Sequence, residues 1–136
     1  MTSLAAIVAS GLFMAMVVFQ AALALGAPLG AHVLGGRNAG RLPVRLRVFS
    51  GIAAVVLVGA ALVILARAGL IGWPSSGSGL LAPASWAIAG FLVLNTLGNL
   101  TSRSRVERTI LAATTAVLAV LCAYVALYAP MDLSAS

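Results

Sequence analysis

Four stretches of this chain, residues 4–25, 48–66, 80–100 and 109–129, carry no charged side chain, and each is about the length of a bilayer crossing. At 1.5 Å per residue, some twenty residues of helix cover roughly 30 Å of hydrocarbon. Backbone N–H and C=O groups find no water there, so a spanning segment bonds within itself as a helix or with neighbours as a closed barrel. Barrel strands alternate apolar and polar positions; these stretches do not. The pattern predicts an all-α polytopic membrane protein, with four transmembrane helices in an antiparallel bundle. Residues 1–136 form a single transmembrane domain with helices at about 4–26, 43–67, 83–101 and 105–129. A secretory signal is the rival reading of the first span, but no basic residue precedes its long apolar core, so it is read as a retained helix.

Helix ends are marked by particular residues. Pro43 and Pro83 suit a first helical position, where a missing N–H costs nothing. Ser104 and Glu107 have the capping-box spacing, in which hydroxyl and carboxylate satisfy each other's backbone N–H at the start of the fourth helix. That structural role accounts for Glu107 without chemistry, and pairing with Arg103 or Arg108 is compatible with it.

Composition agrees with the pattern. With 62% hydrophobic and 7% charged residues and a mean hydropathy of +1.16, the chain lies outside the soluble range. All eight basic residues are arginine, giving a net charge of +6. They sit in short connections beside apolar spans, where they face lipid head groups, so nucleic acid is not an expected partner. Arg37, Arg41, Arg45 and Arg47 lie in the first connection, Arg103, Arg105 and Arg108 in the third, and Arg67 alone in the second. Positive-inside bias then places both termini outside the cytoplasm. Trp73, Trp86, Tyr124 and Tyr128 fall near the opposite span ends, as an aromatic belt would. The arginine, alanine and glycine usage suggests a high-GC bacterial gene, hence a bacterial inner membrane.

Candidate chemistry is sparse. Cys122 is the single cysteine, so neither an intramolecular disulfide nor a cysteine metal site can form. His32 is a lone imidazole, expected to be partly exposed with a hydrogen bond to a loop carbonyl; no metal or cofactor is expected. Gln20, Asn95, Asn99 and Ser102 form the expected intramembrane polar cluster, because amides facing lipid are costly and Asn95 and Asn99 stack one turn apart. Hydrogen bonding between helices accounts for these residues more simply than a substrate path does. Thr114 and Thr115 can bond back to their own helix. The first connection, with Gly26, Pro28, Gly30, Gly35, Gly36 and Gly40, could form an anion-holding nest beside Arg37. It lacks phosphate-loop spacing, however, and is read as a tight surface loop. Residues 73–79 read as a tether and those from 130 onward as a tail. Gly11 with Ala15, and Gly51 with Ala54 and Val58, are candidate close-approach faces.

The strings Gln20-x5-Gly26-x-Pro28-x-Gly30, Gly35-Gly36 through Gly40-x-Leu42-Pro43 to Arg47-x2-Ser50, and Asn95-x3-Asn99-x2-Ser102-x-Ser104-x2-Glu107-Arg108 resemble a group of small four-helix bacterial membrane proteins. That resemblance implies the same four-span architecture and brings no activity with it. Small multidrug transporters and fluoride channels share the length and span count but not these strings. The embedded glutamate of the former and the threonine-rich broken helix of the latter are both missing.

The expected function is that of a non-enzymatic structural or accessory membrane protein. Its arginines would contact anionic membrane lipids, a partner membrane protein or a second copy of the chain. A small oligomeric transporter or channel, with a path lined by Gln20, Asn95 and Asn99, is the alternative. With no clustered acid, base or nucleophile, an enzyme ranks third.

Overall fold

A computed structural model of the protein describes residues 1–72 and 79–130. It contains four helices long and apolar enough to cross a membrane, packed against one another. They are α1 (Thr2–Ala24), α2 (Val44–Arg67), α3 (Leu81–Leu100) and α4 (Ala112–Tyr128), the last entered through a π-helical turn at Glu107–Leu111. Trp73 and most of the expected tether and tail lie outside the described residues.

Glycine sets two of the ends. Gly26 takes φ 98° after α1 and Gly69 takes φ 76° after α2, a left-handed turn that a Cβ would resist. In the first, Gly26 N–H donates to Leu23 O (3.1 Å) and Ala27 N–H to Ala22 O (2.9 Å); in the second, Gly69 donates to Ala66 O and Leu70 to Leu65 O, both at 3.0 Å. This double bond pattern satisfies carbonyls that would otherwise end the helix unpaired. It stops α1 two residues short of the expected end. The prolines also differ from expectation. Pro43 precedes α2 with ψ 152°, and Pro83 is the third residue of α3, where its missing N–H is still one the helix would leave unused.

Helix α1 packs most extensively on α2 and α3 on α4, while α1 also meets α4 and α2 meets α3. Consecutive helices run antiparallel, with the first and third connections at one end. The core of Ala6, Ala9, Phe13, Ile64, Leu92, Leu118, Cys122 and Val125 is closed to solvent. Small residues from α1 and α4 let those helices approach, as membrane packing requires. The outward faces are equally apolar: Val18, Ile52, Val55, Leu94 and Val120 are all exposed. Apolar surface on all sides is what a lipid-facing helix presents.

The close-approach faces are only partly as expected. Gly51 does face α1, where a Cβ would lie 3.8 Å from the Ala24 methyl. Gly11 has open space beside it, and Ala15 and Val58 are exposed, so these three point away from the bundle. Because both sides of each helix are apolar, small size alone does not say which side turns inward.

Arginines close two helix ends. Arg47 Nε donates to Ala24 O (3.0 Å) at the end of α1. Beyond the other end of the bundle, Arg67 reaches across to α4: Nη1 donates to Pro130 O (2.9 Å), and Nη2 lies 3.3 Å from both Ala126 O and Ala129 O. A cation on free carbonyls at a helix C-terminus also meets the negative end of the helix dipole.

Candidate functional site

The first and third connections lie at the same end of the bundle and are built into each other. A hydrogen bond from Gly30 N–H to Gly40 O (2.8 Å) closes the glycine-rich segment into a loop. Leu23, Val33 and Leu42 are buried beneath it, with Phe19, Leu29 and Leu46 packed around them. What the sequence presents as a surface loop is therefore a folded cap with its own small core. Gly30 is needed for it, since a Cβ there would run into the backbone oxygens of Asn38 and Gly40.

At the apex of the cap three successive residues take positive φ: Leu34 (52°), Gly35 (75°) and Gly36 (73°). Such a run turns consecutive N–H groups toward one point, a concavity suited to an anion. The anion is the chain's own Glu107. Leu34 N–H donates to Oε1 (2.6 Å), Gly35 N–H donates to Oε2 (3.0 Å), and the Ser102 hydroxyl also donates to Oε2. Glu107 is buried, and a buried carboxylate is tolerable only with such donors around it. The left-handed Leu34 costs on the order of 1 kcal/mol, and the charge-assisted bond that its N–H makes offsets that cost.

This arrangement corrects the expected capping box. Half of it forms: Glu107 N–H lies 3.4 Å from Ser104 Oγ. The returning half does not, because the carboxylate turns to the nest and Ser104 N–H donates instead to Ser102 Oγ (3.1 Å). Ser104 Oγ meanwhile donates to His32 O (2.7 Å), adding a second tie between the connections. The His32 ring is exposed and makes no hydrogen bond among the described residues, contrary to expectation. No group of three or more His, Cys, Asp or Glu that could hold a metal occurs among the described residues.

Beside the carboxylate lies an open cavity of about 430 Å³, lined by Leu34, Gly35, Arg37, Asn95, Gly98, Asn99, Thr101, Ser102, Arg103 and Glu107. Asn95, Asn99, Leu34 and Glu107 also line a smaller chamber of about 180 Å³ between the helices, with Met16, Gln20, Phe49 and Ser50. The structure thus brings together the whole expected polar cluster: Gln20, Asn95 and Asn99 at the chamber, Ser102 at the outer cavity. Asn99 Nδ2 donates to Asn95 Oδ1 (3.2 Å), while the Gln20 amide has no hydrogen-bond partner among the described residues. Beyond the chamber the bundle is apolar, with Phe13, Leu57, Leu92 and Leu118 in its core.

The arginines divide into groups. Arg37 and Arg103 border the open cavity, and neither makes a hydrogen bond or ion pair with another described residue. Arg41 lies against Gly26, Arg47 caps α1, and Arg108 Nη1 is 3.4 Å from Ser102 O. Arg45 and Arg105 are exposed.

The threonines bond back as expected, Thr114 to Ile110 O (2.8 Å) and Thr115 to Leu111 O (2.9 Å). Thr96 was not singled out by the sequence, yet its hydroxyl lies 2.8 Å from that of Thr115, so it ties α3 to α4. Leu34 likewise gave no sequence signal, since only its backbone acts. Paired glycines in a chain with only two acids are the one available hint.

Comparison with protein-family models, curated proteins and solved structures finds no match to this chain.

Proposed function

We propose that this chain is a non-enzymatic integral membrane protein of accessory or structural type, whose arginine-rich end binds anionic lipid. The observation that carries this reading is the pair Arg37 and Arg103 on the rim of a cavity of about 430 Å³, with no group among the described residues taking up either guanidinium. Glu107, which lines the same cavity, is already bonded to the nest. Positively charged groups left open at a membrane surface attract anionic head groups, and guanidinium pairs with phosphate through two hydrogen bonds. Positive-inside bias favours a cytoplasmic position for this end, in a bacterial inner membrane, with both termini on the far side. A labelling map with engineered cysteines tests that orientation: a terminus accessible from the cytoplasm contradicts it.

Purification into native lipid discs, followed by mass spectrometry, tests the binding. Arg37→Ala with Arg103→Ala should lower retained anionic lipid about tenfold, the effect of losing one or two charge-assisted bonds. Unchanged retention contradicts lipid binding at this site. A retained polypeptide in its place would favour a partner membrane protein or self-association.

The transporter reading draws on the unpaired amide of Gln20 in the inner chamber. Against it stands the apolar packing of Phe13, Leu57, Leu92 and Leu118 beyond that chamber. Solute flux into liposomes that is abolished by Asn95→Leu or Asn99→Leu would support transport, whereas impermeable vesicles would remove it.

A further inference from the structure

A third cavity, an apolar groove of about 230 Å³, opens in the seam between α2 and α3, with Val56, Ala60, Ala87 and Phe91 along it and the buried Phe13 of α1 at its base. Followed toward the arginine-rich end, all three helices continue the faces that line it. Residues three or four apart stack on a helix, so Phe13 leads through Met16 to Gln20, and Phe91 leads to Asn95 and then Asn99. On α2, Leu57 and Val56 lie two turns from Ser50 and Phe49. Each of these faces therefore passes from hydrocarbon at the groove to amide or hydroxyl at the chamber of about 180 Å³. The outer cavity shares Asn95 and Asn99 with that chamber and adds Arg37 and Arg103.

Apolar, then amide, then guanidinium is the polarity profile of one anionic phospholipid read from chain to phosphate. We infer that the seam and the two polar cavities form a single site for one such lipid molecule, an inference that rests on the head-group reading above. An acyl chain lies in the groove, the ester region reaches the amides of Asn95 and Asn99, and the phosphate sits between Arg37 and Arg103. The amides supply both donors and acceptors, matching ester carbonyls and glycerol hydroxyls. The groove alone cannot select a lipid, since every chain in the bilayer is equally apolar. Selection comes from the arginine end, and the groove fixes where the selected lipid's chain goes.

The test uses the full-length protein reconstituted in vesicles of phosphatidylglycerol and phosphatidylcholine in equal amounts, then extracted for native mass spectrometry. The wild type should hold one phosphatidylglycerol, with about a tenfold preference over phosphatidylcholine. Arg37→Ala with Arg103→Ala should abolish the preference. Ala87→Trp, which fills the groove from an exposed position, should lower retention about tenfold. Unchanged retention in Ala87→Trp, with preference still lost in the arginine variant, overturns the single site and leaves head-group binding standing. No preference in the wild type overturns head-group binding itself. A second measurement needs no substitution: phosphatidylglycerol carrying a photoreactive diazirine in its chain should label α2 and α3 around Val56 to Ala60 and Ala87 to Phe91. Even labelling of all four helices overturns the inference.

Discussion

The two ends of this bundle handle the same problem, exposed helix termini near a membrane surface, in different ways. At the end bearing Arg67, one side chain reaches across to three carbonyls around the C-terminus of α4. At the arginine-rich end, a folded loop is joined to the opposite hairpin by a buried carboxylate, and most of the arginines remain outward or on the rim of a cavity. The comparison teaches that arginine number does not report arginine work. Among the described residues, the single arginine in the second connection is the most heavily bonded of the eight. Of the seven at the other end, only Arg47 and Arg108 hydrogen-bond through their side chains to another described residue, and an acid holds that end together.

The comparison breaks most sharply at Glu107. Replacing it with Ala leaves the N–H groups of Leu34 and Gly35 without their acceptor, at about 1–3 kcal/mol each if they stay dry. A loss of roughly 3 kcal/mol should appear as earlier unfolding in detergent, with proteolysis advancing first in the loop of residues 30–40 while the Arg67 end stays protected. Gly30→Ala attacks the same end by overpacking. It should cost about 1–3 kcal/mol and open the loop with Glu107 still present, which limited proteolysis would register.

Arg67→Ala against Arg47→Ala compares the caps themselves. A cation at a partly buried helix terminus contributes up to about 2 kcal/mol, so the variant losing three carbonyl contacts should lower the unfolding midpoint more than the variant losing one. The reverse order would mean that the contacts of Arg67 are weaker than their number suggests. Leu34→Gly should have the smallest effect. Glycine relieves about 1 kcal/mol of left-handed strain but loosens the unfolded chain by a similar amount. The midpoint should move little, and a large drop would show that the Leu34 side chain contributes more than its N–H.

Span number and placement were legible because twenty uncharged residues have few alternatives in a chain this apolar. The polar cluster was legible for a related reason: Gln20, Asn95 and Asn99 are too costly to face lipid, so all were expected inside, and they line one chamber. The partner of Glu107 was not legible. Ser104 offers a local match at the right spacing, whereas Leu34 and Gly35 lie more than seventy residues away and act only through backbone N–H groups. Nothing in a side-chain pattern records that. The Thr96 to Thr115 bond escaped for the same reason, since each threonine also bonds within its own helix. Gly11 and Ala15 misled because small residues permit a contact without requiring one.

The pairing of Glu107 with the loop nest also sets an order of assembly. The first two helices emerge from synthesis with their connecting loop complete in sequence but lacking its anion, which arrives only with the second hairpin. The clasp between the halves thus cannot shut before the second hairpin is under way, and an isolated first hairpin would carry an open latch waiting for a carboxylate.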